Sequence, residues 1–216
     1  SLTAVDASDW GFFRFLGRDA RKFLQGLVTA DLARLTPRDP LRTCVLAPKG
    51  GLIADGELYG ETQKSVLAVT RPAAAAGFAR AFEKKIALSE SVFKRLSPQA
   101  WLVVGDDAGP GLSWPLLGQP ARLLLGVDPP PEARLMTPGE LDFLRVAAGF
   151  PWYGADLDES VLPLEARLDG AVSLATSCYM GPAPDTQLAR VGHVNRLLCG
   201  LSLPSGAPAP GTAPPR

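Results

Sequence analysis

The pattern of apolar and polar residues predicts short strands interspersed with a few helices. After Asp19, which suits an N-cap position, apolar residues recur three or four positions apart, as on one face of a helix. A second helix is predicted from residue 72 to residue 86, because proline is favourable at a first helical position. Strands are predicted at 12–17, 43–48, 52–59, 65–70, 91–97, 101–105 and 121–127. This mixed order indicates an α+β fold rather than a doubly wound sheet.

The clearest helix signal is the segment TPGELDFLRVAAGFP, residues 137–151. Thr137 and Glu140 have the spacing of a capping box, in which each side chain bonds the backbone of the other. Gly149 and Pro151 then favour an end to the helix.

Composition and charge indicate an ordinary globular protein. The 22 Lys and Arg residues equal the 22 Asp and Glu residues, so no net field would attract nucleic acid or an anionic membrane. The chain has no apolar run of the roughly 18 residues needed to cross a bilayer. The first ten residues have neither the basic start nor the apolar core of a signal peptide, and we expect a cytoplasmic protein.

Residue types that carry metal or nucleophilic chemistry are few. Cys44, Cys178 and Cys199 are odd in number and widely spaced, which argues against a disulfide framework and favours a reducing compartment. His193 is the only histidine, so the sequence lacks the closely spaced ligands of a zinc site. Hydrolytic chemistry built on a histidine is disfavoured for the same reason. We expect no metal site.

Three segments, in this order along the chain, resemble a known family of folate-binding proteins. GRDARKFLQGLVTADL (17–32) is close to the family's opening pattern G-x-D-A-x-x-F-L-Q-G-x-x-T-x-D. APKGGLIADGELY (47–59) resembles its N-P-K-G-x-x-x-A-D strand pair. The third segment begins at residue 144 and runs through SCYMG (177–181) to GHVNR (192–196), which resemble the family's C-Y-x-G and R-G-x-V-N-R blocks. The family is that of YgfZ, related to the glycine-cleavage aminomethyltransferase, or T-protein.

The resemblance implies a pseudo-symmetric α+β fold, the YgfZ/GcvT-like folate-binding fold, with tetrahydrofolate in a central cavity and a C-terminal β-barrel beside it. Residues 1–191 would form the folate-binding region, and residues 192–203 would supply the first strand of the barrel. The tail at 204–216 has five prolines in thirteen residues, a composition typical of disorder. The barrel is therefore expected to be truncated or missing.

The residues favour the YgfZ branch of the family over the transferase branch. Transferases carry a carboxylate for aminomethyl transfer in a G-G-x-x-D-D turn, where this chain has Ala54 followed by Asp55. They carry a second, pterin-binding carboxylate in L-R-x-E-A-G, where this chain has Ala147. Each lost charge-assisted hydrogen bond would cost roughly 1.5–3 kcal/mol of folate affinity, so aminomethyltransferase activity is disfavoured.

The resemblance implies a protein that assists the assembly or repair of iron–sulfur enzymes, including tRNA-modifying ones, and that is not an enzyme in the ordinary sense. Its partners would be folate and iron–sulfur client enzymes, with no direct nucleic-acid binding and no membrane. Two alternatives stay open. One is a tetrahydrofolate-dependent aminomethyltransferase of the glycine-cleavage type, and the other is a degenerate family member that acts as an interaction scaffold.

Six residues are candidates for the functional site. Cys178 matches the family's shared cysteine and is either a functional thiol or a small buried side chain. The candidate folate-binding residues are Gln25, Lys49, Asp55, Trp152 and Tyr179. Each of these has a structural alternative: the amide bonds a neighbouring backbone, the lysine is solvated at its turn, the aspartate faces water, and the aromatic rings fill gaps in the core.

Overall fold

The computed structural model describes residues 1–106, 108–114, 118–173 and 196–201. Within these ranges the chain forms ten strands in two sheets, three α-helices and short 3₁₀ turns. The helices are α1 (Ala20–Gln25), α2 (Pro72–Glu83) and α3 (Pro138–Ala147). The strands, in chain order, are β1 (Thr3–Asp6), β2 (Gly11–Leu16), β3 (Leu41–Leu46), β4 (Leu52–Thr62), β5 (Ser65–Thr70), β6 (Val92–Leu96), β7 (Ala100–Val104), β8 (Leu112–Ser113), β9 (Ala121–Leu125) and β10 (Arg134–Leu135).

The two sheets each contain five of these strands. The first has the order β10-β1-β7-β9-β8 and the second has the order β3-β4-β5-β2-β6. Neighbouring strands are antiparallel except for β1 and β10, which are parallel. Two antiparallel-rich sheets with few helices confirm the predicted α+β fold class.

The second sheet is covered by apolar residues on both faces. On one face, α1 and α2 pack against it through a group of phenylalanines in which the rings of Phe15 and Phe82 are 5.0 Å apart and edge-on. On the other face, Tyr59 of the second sheet joins Leu102 and Leu123 of the first sheet in a shared core. The two sheets therefore bury one face of each against the other.

Strand β4 places its side chains alternately on these two faces. Ala54 and Leu58 pack in the helix-side core, whereas Tyr59 packs between the sheets. Because side chains of a strand alternate with a period of two, Asp55 and Glu57 lie on the same face as Tyr59. Two carboxylates are thereby directed away from the helices into the interior.

The strongest local signals in the sequence are confirmed. In α3, Thr137 Oγ1 accepts a hydrogen bond from the backbone of Glu140, and the Glu140 carboxylate accepts one from the backbone of Thr137 at 2.8 Å. α2 begins at Pro72, and the seven strands predicted between residues 12 and 127 are all present, β5 with the predicted ends and the others with shifted ends. Asp19 occupies the N-cap of α1, although its side chain makes no capping hydrogen bond. The patterns did not predict β1, β8 or β10.

The predicted C-terminal elements fall largely outside the described residues. Residues 196–201 form neither helix nor strand. The rest of the strand predicted at 192–203 and the Pro-rich tail at 204–216 lie beyond the described ranges. The barrel strand and the domain boundaries therefore stay predictions.

Candidate functional site

A group of four charged residues, three of them buried and one partly buried, lies on the face of the second sheet turned away from the helices. We call Arg42, Asp55, Glu57 and Arg71 the charged cluster. Arg42 of β3 stands directly across from Glu57 of β4 in the strand register, and Asp55 lies two residues before Glu57. The two carboxylate residues are each 4% exposed, so these charges sit in the interior rather than on a solvated surface.

Arg42 is the centre of the cluster. Its Nη2 donates to Asp55 Oδ2 at 2.5 Å and to the backbone oxygen of Pro151 at 3.0 Å. Its guanidinium carbon lies 3.7 Å from the centre of the Phe150 ring, which is cation–π contact. Its Nε is 3.8 Å from Glu57 Oε1, within ion-pair range but beyond a hydrogen bond. Arg42 therefore links β4 to the segment that follows α3.

Arg71 lies between tryptophan rings. It is the residue between β5 and α2, and its guanidinium carbon is 3.8 Å from the Trp10 ring centre and 3.4 Å from that of Trp152. Burial lowers the pKa of Arg71 below its ordinary value, and the negative charges of Asp55 and Glu57 oppose that effect. The two rings and the two carboxylates together make a buried cation tolerable.

Glu57 is the strongly perturbed acid of the cluster. The pKa of Glu57 is raised to about 7, mainly by burial and also by the charge of Asp55, while the guanidinium groups of Arg42 and Arg71 oppose the rise. Burial, with a further contribution from Asp55, also raises the pKa of the neighbouring Cys44 thiol to about 12. Glu57 thus titrates near neutrality, whereas Cys44 stays a protonated thiol there.

The cluster is incompletely hydrogen-bonded. Among the described residues, five of its buried polar atoms have no hydrogen-bond partner: Arg42 Nε and Nη1, Asp55 Oδ1, Glu57 Oε2 and Arg71 Nη2. Most buried polar atoms in folded proteins have a partner, so a concentration of unpartnered ones marks a place where further polar groups fit.

A cleft of about 360 Å³ adjoins the cluster at the end of α3. Its walls include Arg145, Phe150, Pro151, Asp156, Arg167 and Leu198. Arg145 donates to Asp142 at 2.7 Å and forms an ion pair with Asp156, which fixes this side of the cleft. Because Arg42 contacts both Phe150 and Pro151, those two residues form the wall between the cleft and the charged cluster.

The structure brings together two of the residues predicted for the site. Asp55 is in the charged cluster, buried rather than facing water. Trp152 is half-buried, and one face of its ring is covered by Arg71, which is itself electrostatically coupled to Asp55.

The other predicted site residues lie elsewhere. The side-chain amide of Gln25 donates to the backbone oxygen of Ala30 and accepts from the backbone N–H of Leu32. Bonding to a neighbouring backbone was the structural alternative to ligand binding for this residue. Lys49 is exposed in its turn between β3 and β4. Cys178 and Tyr179 lie outside the described residues, so their roles stay predictions.

The two alanines that separate this chain from the transferase pattern do not reach the cluster. Ala54 is fully buried among the helix-side residues, on the opposite face of β4 from Asp55. Ala147 is exposed at the C-terminal end of α3.

Sequence reasoning missed Arg42, Glu57 and Arg71. One signal was available: Glu57 is two positions after Asp55, so a strand puts both carboxylates on one face. A second signal was the charged residue Arg71 directly after SVLAVT, the segment of β5, whose six residues are all buried. The position of Arg42 depends on the register of β3 against β4, for which the sequence has no local signal.

The described part of the chain has no group of three or more His, Cys, Asp or Glu side chains arranged to hold a metal ion. None of its helices has the length and apolar character required to span a membrane.

Comparison with known proteins gives two kinds of relative. No protein-family model matches the chain. An aminomethyltransferase from Bordetella bronchiseptica is 29% identical over 201 residues, which cover 73% of this chain and 55% of that protein. The tRNA-modifying protein YgfZ from Escherichia coli O157:H7 is 25% identical over 218 residues, which cover 83% of this chain and 65% of that protein.

The solved structure of glycine cleavage system aminomethyltransferase T from Bartonella henselae has the same fold. It matches with a TM-score of 0.76 over 88% of this chain and 63% of that one, at 16% identity. The chain thus spans between about half and two thirds of the length of these relatives. Similarity to both kinds of relative, together with the shared fold, confirms the resemblance to YgfZ and the aminomethyltransferases that the sequence motifs predicted.

Proposed function

We propose that the chain binds a reduced folate and acts in the manner of the YgfZ branch, assisting the assembly or repair of cytoplasmic iron–sulfur enzymes, including tRNA-modifying ones. The observation that carries this proposal is the neutralisation of the interior carboxylates of β4 by arginine. Asp55 forms an ion pair with Arg42 at 2.5 Å. The positive charges of Arg42 and Arg71 both favour the ionised form of Glu57. This arrangement suits binding better than proton transfer.

Aminomethyl transfer to a folate needs a carboxylate that can reach the reacting nitrogens. At the transferase position this chain has Ala54, whose methyl group is buried in the helix-side core and has no proton chemistry. Asp55, the adjacent carboxylate, is held by a buried guanidinium whose removal would leave an uncompensated interior charge. These two features argue against turnover.

The cleft at the end of α3 suits a folate in size and lining. Pockets for small ligands and cofactors usually measure about 300–1,000 Å³, and this cleft measures about 360 Å³. Phe150 offers an aromatic surface for a pteridine ring. Arg167 is exposed at the cleft and donates through Nε to the backbone of Leu198, which leaves its other guanidinium nitrogens for the anionic glutamyl tail.

Folate binding is tested by calorimetric titration with 5-formyltetrahydrofolate under reducing conditions. We expect micromolar binding by the wild-type protein and about two- to tenfold weaker binding by Phe150→Ala, because stacking on an aromatic ring contributes about 0.5–1.5 kcal/mol. Phe143→Ala is the matched control, since Phe143 is on α3, is 72% exposed and does not line the cleft. If the wild-type protein gives no heat of binding at millimolar 5-formyltetrahydrofolate, the folate proposal is ruled out and the scaffold alternative is favoured.

The iron–sulfur role is tested by complementation of a bacterial strain that lacks its own YgfZ-type protein. Cys178→Ala should lose complementation if the thiol takes part, whereas Cys178→Ser, which keeps the size of the side chain, should separate loss of the thiol from loss of packing by failing to complement while folding normally. Full complementation by Cys178→Ala would contradict a functional thiol. A glycine-cleavage assay with the wild-type protein should show no turnover, and measurable turnover would restore the transferase alternative.

A further inference from the structure

We propose that residues 196–201, which we call the strap, close one side of the cleft at the end of α3, and that the ion pair between Arg196 and Glu165 holds the strap closed. Three residues of the strap line the cleft: Leu198, Cys199 and Gly200. The rest of the lining comes from the C-terminal half of α3 and from residues 149–167. Movement of the strap would therefore open the cleft.

The strap is held by a neighbouring segment of the chain. Among the described residues, its hydrogen bonds to groups outside the strap all go to residues 160–167. The Leu198 backbone N–H donates to the backbone oxygen of Glu165 at 2.7 Å, and the Leu198 backbone oxygen accepts from Arg167 Nε at 2.8 Å. These two hydrogen bonds fix the strap backbone at a single residue.

The side chain of Arg196 supplies the other polar contacts of the strap. Its Nε donates to Glu165 Oε1 at 3.0 Å, and its Nη2 donates to the backbone oxygen of Ser160 at 2.8 Å. The Glu165 carboxylate also accepts from the backbone N–H of Leu162 at 3.0 Å, which fixes its position. The hydrogen bond from Leu162 lowers the pKa of Glu165, burial opposes this, and Arg196 lowers it further, so the ion pair is charged at neutral pH.

Apolar packing contributes little to holding the strap. All six of its residues are exposed and they form neither helix nor strand. Leu197, Leu198 and Leu201 belong to none of the hydrophobic cores of the described chain. Segments with few buried apolar contacts open at a low free energy, whereas core strands open only on global unfolding. The strap should therefore open far more often than the sheets.

A strap of this kind controls how fast a ligand binds rather than how tightly. If a ligand enters and leaves only while the strap is open, both rate constants scale with the open fraction. The dissociation constant is then nearly unchanged as long as the closed state dominates. A residue that only contacts the ligand would instead change mainly the dissociation rate. Loss of the ion pair should therefore raise both rate constants by one factor.

Opening of the strap is measured without a ligand, by NMR hydrogen exchange of the Leu198 amide, which donates to Glu165. Arg196→Ala should exchange this amide about three- to tenfold faster, because it removes an exposed ion pair and the hydrogen bond to Ser160. Arg196→Lys keeps the charge against Glu165 but cannot make both contacts, so its exchange rate should be intermediate. Equal exchange in the wild-type protein and Arg196→Ala, or in the two variants, would overturn the role of the ion pair.

Arg18→Ala is the matched control. Arg18 forms an exposed ion pair with Glu90 at 3.2 Å, and neither residue lines the cleft. Its removal should leave the exchange rate of the Leu198 amide unchanged. If Arg18→Ala and Arg196→Ala accelerate this exchange equally, the inference is overturned.

Control of access is measured with 5-formyltetrahydrofolate, by stopped-flow tryptophan fluorescence. Arg196→Ala should raise the association and dissociation rate constants by the factor found in hydrogen exchange, with Kd changed by less than about twofold. An increase in the dissociation rate constant alone would make the strap a part of the binding surface and would overturn its control of access.

The ligand experiment rests on the proposed function, because its probe is a reduced folate, but the two can fail separately. If no form of the protein binds 5-formyltetrahydrofolate while Leu198 exchange responds to Arg196→Ala, the folate proposal is rejected and the strap is retained. If the folate binds with rate constants that Arg196→Ala does not change, control by the strap is rejected and folate binding is retained.

Discussion

The buried carboxylate of Glu57 should make the protein less stable as pH rises through neutrality. Its pKa is about 7 in the folded chain against an ordinary value of 4.5, because burial favours the neutral form. A folded-state pKa above the unfolded one means that the stabilisation is fully present below pH 4.5 and is lost as pH rises through about 7. The ionised Glu57 carboxylate therefore lowers the free energy of unfolding at alkaline pH.

The size of the effect follows from the two pKa values. The gap between 4.5 and about 7 corresponds to about 3 kcal/mol over the whole titration. Between pH 5 and pH 8 the linkage relation assigns most of that loss, about 2–3 kcal/mol, to Glu57. For a chain of this length, about 2–4 °C of Tm accompanies each kcal/mol, so the expected fall is about 5–10 °C.

The assay compares Glu57→Gln with the wild-type protein by thermal unfolding at pH 5, 6, 7 and 8. Glutamine has nearly the shape of protonated glutamic acid, so the two proteins should have similar Tm values at pH 5. At pH 8 the variant should be the more stable, by about 5–10 °C. All other titrating groups are common to both proteins, so their contributions cancel. Parallel pH profiles for the two proteins would refute the reasoning.

Three further predictions concern other parts of the fold. Arg42→Ala should lower the free energy of unfolding by about 3–5 kcal/mol, because it removes the ion-pair partner of the buried Asp55 carboxylate, whereas Arg14→Ala should cost about 1 kcal/mol or less; equal losses in denaturant titrations would contradict this. Thr137→Ala should cost about 1 kcal/mol by removing the cap of α3, and Thr137→Ser should restore most of it. Cys199 is exposed and should react rapidly with a thiol reagent, whereas Cys44, with its pKa raised to about 12, should react only after unfolding; labelling followed by peptide mass mapping separates the two.

The elements that could be predicted from sequence are those with local causes. α3 has its capping box and α2 has its proline at the first position, and both signals lie within a few residues of the helix start. β8 and β10 have two residues each and exist because neighbouring strands pair with them. Neither strand is long enough for an alternation of apolar and polar residues to be recognised in the sequence.

The candidate site was only partly predictable because it is assembled across strands. Asp55 was found through its motif, but its burial and its partner were not. Arg42 comes to lie opposite Glu57 only when β3 and β4 pair in one register. A charged residue in a short strand is ordinarily assigned to the solvated face, so an arginine buried against an aromatic ring is hidden from pattern reasoning.

Gln25 is a site residue whose role the local pattern does not decide. Its place in the family-like FLQG motif suggested a ligand, but both ends of its amide bond backbone atoms between α1 and the following turn. A polar residue beside an apolar helix face has the same pattern whether it holds a ligand or a loop.

The most direct test of the account is the structure of the protein crystallised with 5-formyltetrahydrofolate. We predict the ligand in the cleft at the end of α3, with its pteridine ring against Phe150 and its glutamyl tail near Arg167. A ligand bound elsewhere, or a cleft without ligand at millimolar concentration, would contradict the account.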